Sequence, residues 1–199
     1  MNNYARSVAV FCGSSDGKDA RYGQLAAAFG RLCARNGFTI YYGGAKLGLM
    51  WSLAAASLAE NGKVVGVIPD FFSGDVVVAD NITEQIWVKS MSERKQKMEQ
   101  LADAFVVLPG SFGTMDELFE IVTDAQLGLH QKPIVILNAF GYYDLLLKQL
   151  EIFFQEGFLR PFHRDLILVA DTPEEVFEKL SNFQYPNDLS WLKKHTKHQ

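Results

Sequence analysis

The sequence predicts an α/β protein: one open, doubly wound parallel sheet with helices on both faces, in a single domain. Three observations predict it. Strand-like and helix-like runs alternate from end to end, the βα rhythm of a parallel sheet. The strand-like runs are unbroken apolar segments, such as VAVF at 8–11 and FVVL at 105–108, as expected of strands covered on both faces. Four strand ends run into segments rich in small residues, FCGSSDGKD, YYGGAKLGLM, VIPDFFSGD and LPGSFGTMDE. In an open sheet such ends gather at one edge, where ligands bind. A closed barrel would need eight regular βα units and about 250 residues, and this chain has 199.

The elements follow in order. SVAVFCG (7–13) reads as a buried strand, and 19–37 as an amphipathic helix closed by Asn36-Gly37, a C-terminal stop signal. FTIYYGG (38–44) is the second strand. The helix at 47–62 is rich in small residues, suits close helix packing within the chain or between subunits, and again ends in Asn-Gly. KVVGVIP (63–69) is the third strand, 70–83 is irregular, and 84–89 is a short strand. A helix over 91–103 leads to strand 104–110, helix 113–129, strand 133–138, helix 142–156, a short strand at 166–170 and helix 172–182. Pro173 and the acids behind it open that last helix as the macrodipole favours. The domain is expected over 1–183, with a polar, frayed C-terminal segment over 184–199.

Apolar residues make up 48% and charged residues 21% of the chain, a globular profile. A chain this long can bury roughly 70% of its unfolded surface and needs no disulfide staples. The net charge of −4 speaks against a broad nucleic-acid footprint, so any phosphate must be held by local charge and backbone. Cys12 and Cys33 stand alone in apolar surroundings and read as reduced core thiols of a cytoplasmic protein. Only six residues separate Arg6 from Gly13, too few for a signal-peptide core. No apolar run reaches the 18 residues of a membrane span. His195 and His198 are a poor metal pair, His130 at a helix end reads as structural, and GxSxG is missing. Phe71, Phe72 and Trp87 read as core, or as the lining of a base pocket or a dimer contact.

The segment VVLPGSFGTMDELFEI (106–121) carries the chemistry. Its glycines let backbone N–H groups approach an anion, and the helix opening at Gly113-Thr114 offers free N–H groups and a favourable dipole. The same residues also suit a plain Pro-Gly turn with Thr114 as N-cap. It is not a P-loop, because Thr114-Met115 stands where Lys and Ser or Thr are required, and GGAKLG is not GxGxxG. Glu117 lies three residues after Thr114 on one helical face, with Asp116 about 100° away. A carboxylate there can steady a developing cation or orient water, or merely complement the dipole. SERKQKME (92–99) sets Arg94, Lys95 and Lys97 within a turn. Arg94 suits bidentate anion contact, although a solvated face with a Glu93–Lys97 pair has the same pattern.

LPGSFGTMDEL resembles the PGGxGTxxE signature of the LOG ("lonely guy") family, cytokinin riboside 5'-monophosphate phosphoribohydrolases that have also been labelled lysine decarboxylases. VFCGSSDGKD, YYGGAKLGLM, MSERKQKM and TDAQLGLHQKPIVILNAFGYYDLLL look like further family blocks in family order. The resemblance implies a Rossmann-like fold, a homodimer, and no metal or redox cofactor. It implies cleavage of the N-glycosidic bond of a nucleoside 5'-monophosphate to base and ribose 5-phosphate. The implied catalytic pair is Arg94 and Glu117. The implied substrate contacts are Lys95, the loop residues Gly110, Ser111, Phe112, Gly113 and Thr114, then Asp116 and Thr123, with Ser14, Gly43, Gly44 and Met91 around them. Ser111, Ala45, Trp51 and Ser92 depart from the family pattern. A pyridoxal enzyme would need a Schiff-base lysine, for which Lys46 behind paired glycines is weak. A non-catalytic nucleotide or molybdenum-cofactor carrier of the same fold is the alternative.

Overall fold

The computed structural model describes residues 5–74 and 77–186. Among them, seven strands form one parallel sheet: β1 (Ser7–Phe11), β2 (Thr39–Tyr42), β3 (Val64–Pro69), β4 (Glu84–Val88), β5 (Ala104–Val107), β6 (Ile134–Leu137) and β7 (Leu168–Ala170). The order across the sheet is β4-β3-β2-β1-β5-β6-β7. The chain therefore winds outward from β1 to β4, returns to the centre, and winds out the other way from β5 to β7. The reversal falls between β1 and β5, the switch point where open α/β sheets form their crevice.

The helices are α1 (Ala20–Arg35), α2 (Gly48–Ala59), α3 (Met91–Leu101), α4 (Phe112–Gln126), α5 (Asp144–Gln155) and α6 (Pro173–Asn182). Strand side chains alternate between faces, and the two cores show it. Val8 and Val10 join Phe29, Leu53 and Val176 of α1, α2 and α6, whereas Ala9 and Phe11 join Met98, Leu118 and Ile121 of α3 and α4. Each such large apolar side chain contributes roughly 1.5–3 kcal/mol on burial. The small-residue helix α2 packs on α1 of the same chain. A Cβ on Gly30 would lie 2.2 Å from the Leu53 carbonyl oxygen, so the α1–α2 contact runs backbone to backbone.

The Asn-Gly stops are realised. Gly37 N–H donates to Ala34 O and Phe38 N–H to Cys33 O, and Asn61 and Gly62 repeat the pattern on Leu58 and Ser57. These are Schellman closures, with Asn61 itself at φ 59°. The same motif ends α4 earlier than the 129 expected: Gly128 at φ 74° donates to Ala125 O, and Leu129 to Asp124 O. α5 starts at Asp144 rather than 142, because Phe140 and Gly141, at φ 60° and 68°, interrupt the approach. A 3-10 turn at Pro161–Leu166 takes Leu166 out of β7. The irregular stretch after β3 clamps the β2–α2 loop: Ala45 bridges Val78, Lys46 N–H donates to Val77 O and Ala79 N–H to Gly44 O. Among the described residues, no helix is long and apolar enough to cross a membrane. Of the 184–199 segment, Tyr185 packs against the α4 core and donates to Ala125 O at 2.7 Å. Residues 187–199, with His195 and His198, lie outside the described residues.

Candidate active site

The loop after β5 is fixed from both sides of the switch point. Gly13 N–H, at the end of β1, donates to Pro109 O at 3.0 Å. A Cβ on Gly110 would sit 2.0 Å from Thr114 Oγ1 and 2.9 Å from Gly13 N, so this contact admits only glycine. Thr114 is buried, as the third residue of α4 and not its N-cap. The N-cap is Ser111, and its side chain makes no capping hydrogen bond. The first-turn N–H groups thus receive no capping acceptor from Ser111, which leaves them for an anion. Phe112, the first helical residue, is 93% exposed at the loop's edge. Gly113 faces open space.

Because α4 starts at Phe112, Asp116 and Glu117 fall in its second turn, and the first turn holds no acid. The dipole acts mainly within the first turn, so it is not what governs Glu117. Arg94 is. Arg94 and Glu117 are both buried, and Arg94 Nη1 donates to Glu117 Oε1 at 2.7 Å. Arg94 Nε donates to Val67 O at 3.2 Å, which aims the guanidinium. Gly43 clears its path, since a Cβ there would meet Arg94 Nη2 at 2.4 Å. The solvated-face reading of this helix therefore fails at Arg94. Glu93 instead accepts the N–H of Lys89 at 2.7 Å.

Burial pushes the Glu117 carboxyl above the ordinary glutamate range, and the Arg94 charge and hydrogen bond pull it back. The upward direction is the one we adopt, because desolvation is the larger influence. Cys12 is buried close by. Burial first, then Glu117, pushes its thiol far up, so it remains protonated and unreactive.

The other expected contacts distribute as follows. Lys95 is paired with Asp116 at 2.9 Å and with Glu120 beside it, and Glu120's hydrogen bond leads in raising the lysine's pKa. Gly44 is required at φ 79°, where a Cβ would strike Ile68. Ser14 is exposed in the β1–α1 loop, against which Gly48 at the start of α2 presses so closely that a Cβ would lie 2.4 Å from Ser15 N. Met91 is exposed at the first position of α3. Thr123 is not with the rest: it is exposed three turns along α4, its hydroxyl donating to Phe119 O at 2.6 Å. Lys46 is ion-paired with Asp80 and lies 5.6 Å over the Trp51 ring. His130 is structural, with Nε2 2.8 Å from Ile121 O. Phe71, Phe72 and Trp87 are exposed. A cavity of about 220 Å³, lined by Val122, Gln126, Leu147, Phe154 and Val169, lies toward the other end of α4.

A family model described as "Possible lysine decarboxylase" matches residues 50–180. A cytokinin riboside 5'-monophosphate phosphoribohydrolase from Rhodococcoides fascians is 46% identical over 166 residues, which is 83% of this chain and 84% of that one. The chain belongs to the LOG family. A probable LOG enzyme of Oryza sativa subsp. japonica is 41% identical over 178 residues, covering 89% of this chain and 78% of its own. Among solved structures, the molybdenum cofactor binding protein from Rippkaea orientalis aligns with a TM-score of 0.66 at 19% identity, covering 86% of this chain and 93% of its own. At that identity the likeness is one of fold, and a fold alone does not specify chemistry. The departures from the LOG pattern lie around the Arg94–Glu117 contact and not in it: Ala45 pairs with Val78, Trp51 carries Lys46, and Ser92 is exposed.

Two residues of this LOG chain escaped the sequence reading. Tyr142 Oη donates to Gly110 O and Tyr143 Oη to Leu108 O, each at 2.6 Å. The tandem tyrosines after β6 were a signal, since β6 neighbours β5 and its loop must meet the signature loop.

Proposed function

We propose that this LOG chain hydrolyses the N-glycosidic bond of nucleoside 5'-monophosphates, cytokinin riboside or AMP-like, to free base and ribose 5-phosphate. The observation that carries the reading is the buried Arg94–Glu117 pair, 2.7 Å apart, one turn below a glycine-lined helix start. In this reading the 5'-phosphate docks on residues 110–114, on N–H groups that the Ser111 side chain does not cap. Lys95, paired along the second and third turns of α4 with Asp116 and Glu120, is the side-chain cation assigned to assist. The sugar then lies over Glu117, whose carboxylate steadies oxocarbenium character at C1' and orients the attacking water. Arg94 keeps that carboxylate ionised in a site that would otherwise favour its protonation. Ser14, Gly43, Gly44, Met91 and Phe112 complete the walls.

Thr123 fits the reading through a second copy of the chain. It lies between Phe119 and Leu127, which are 40% and 42% exposed, at four-residue spacing on one face of α4. A homodimer that covers this stripe brings Thr123 toward the neighbouring site. Light scattering should give twice the chain mass, and Phe119→Asp should lower it; a wild-type mass of one chain would refute the dimer.

The test of function is direct. Incubation of the full chain with AMP or isopentenyladenosine 5'-monophosphate should release ribose 5-phosphate. Tight binding without product would show a carrier and overturn the hydrolase.

A further inference from the structure

We infer that Tyr142 is a positioning residue for the phosphate loop: its hydroxyl holds the Gly110–Ser111 peptide so that the Ser111 N–H faces the nucleotide's 5'-phosphate. The inference rests on the function proposed above. Three consecutive carbonyls before the helix each have a named donor: Tyr143 Oη on Leu108 O at 2.6 Å, Gly13 N–H on Pro109 O at 3.0 Å, and Tyr142 Oη on Gly110 O at 2.6 Å. In a trans peptide the C=O and N–H point in opposite directions. Drawing the Gly110 carbonyl toward Tyr142 therefore turns the Ser111 N–H to the opposite side of that peptide. Orientation matters here because a glycine at 110 leaves the peptide free to rotate when unheld.

The turn that presents Tyr142 is itself braced. Phe140 sits at φ 60°, a conformation that non-glycine residues keep only where surroundings impose it. Arg21 lies 4.3 Å over its ring, and Tyr22 meets both Phe140 and Tyr142 edge-on at 5.9 and 5.5 Å. Asn138 closes the turn, accepting from Tyr143 N–H at 2.7 Å and donating to Asp144 at 2.9 Å. The two tyrosines differ in kind. Tyr143 is 3% exposed, so its hydroxyl must find a partner, whereas Tyr142 is 41% exposed and could have bonded to water. Its bond to the loop is thus a matter of position more than of stability.

The experiment compares full-length wild type with Tyr142→Phe. Calorimetry measures AMP, ribose 5-phosphate and adenosine binding, alongside kcat, KM and Tm. Loss of one neutral hydrogen bond corresponds to roughly three- to ten-fold. Affinity for AMP and ribose 5-phosphate should fall by that factor, with adenosine affinity, kcat and Tm essentially unchanged. Unchanged AMP affinity, an equal loss for adenosine, or failure to fold would each overturn the assignment. A wild-type chain that binds no AMP overturns this inference and the hydrolase together. A wild type that binds and cleaves, beside an unaltered variant, overturns only this inference.

Discussion

Gly43→Ala should disable the enzyme without unfolding it, although neither member of the proposed Arg94–Glu117 pair is replaced. The added methyl would lie 2.4 Å from Arg94 Nη2 and 2.3 Å from Met50 Cε, where ordinary contact is about 3.5 Å. Gly43 has no positive φ, so the backbone accepts alanine. Both struck atoms end flexible side chains, and Met50 can bend away, so the stability cost is that of mild overpacking, about 1–2 kcal/mol. Arg94 has less freedom. Its guanidinium is tied to Val67 O at 3.2 Å and to Glu117 at 2.7 Å. A shift of roughly 1 Å carries the latter past the length at which a hydrogen bond holds. Misplacement of that size costs on the order of a hundred-fold in rate. Initial-rate release of ribose 5-phosphate, with Tm by calorimetry, reads both effects. A Gly43→Ala chain within about three-fold of wild-type kcat would show that Arg94's placement is not what the rate depends on.

Glu117→Gln should retain AMP binding and lose roughly a hundred- to thousand-fold in kcat; equal turnover would end the catalytic assignment. On the proposed role of the Glu117 carboxylate, the acid limb of kcat/KM should lie above glutamate's ordinary 4.5, since burial raises its pKa. Arg94→Met should move that limb higher still, as the charge that pulls it down is gone; a limb moving down would contradict the electrostatics. Stability follows the same sign: with the folded pKa above the unfolded one, Glu117's contribution declines as pH rises from about 4.5 through the folded value. Glu117→Gln should flatten that part of the Tm–pH profile. Gly113→Ala, whose methyl meets nothing within 4 Å and needs no unusual φ, should leave Tm level or slightly raised yet raise KM if, as proposed, the phosphate docks in that open space.

The sheet was legible because alternation and continuous apolar strands have few other solutions, and the helix stops because Asn36-Gly37 and Asn61-Gly62 carry their geometry in their residue types. The start of α4 was not. Gly113 looks like the last turn residue, yet it lies inside the helix, which begins at Phe112 behind the N-cap Ser111. That shift takes Asp116 and Glu117 out of the first turn and leaves Glu117 to burial and Arg94 in place of the dipole. The pair itself came from family resemblance. Spacing alone left Arg94 open between an anion contact and a solvated face, because only α3's packing against β3 and β2, and the gap at Gly43, turn it inward. Tyr142 was only half legible for a related reason: the tandem tyrosines after β6 point to the neighbouring loop, but the partner is a backbone carbonyl, which has no sequence signature of its own.

Ser111 is the departure that bears most directly on phosphate, and its geometry says what it changes. Its φ of −119° is open to any L-residue, so the glycine usual in LOG signatures is not required for the backbone here. What serine adds is a hydroxyl at an N-cap where it makes no cap bond. Ser111→Gly should therefore fold normally and bind nucleotide nearly as well. Ser111→Asp separates helix stability from function. Aspartate is as good an N-cap, and its charge favours the helix start, so Tm should hold or rise by the equivalent of up to about 1 kcal/mol. The same carboxylate takes the N–H groups for itself and faces a phosphate within a few ångströms, a repulsion of roughly 1–4 kcal/mol, or at least several-fold in KM. A stabilised Ser111→Asp chain that still binds AMP at wild-type affinity would mean that the phosphate lies elsewhere, and Glu117 would then have no sugar held above it.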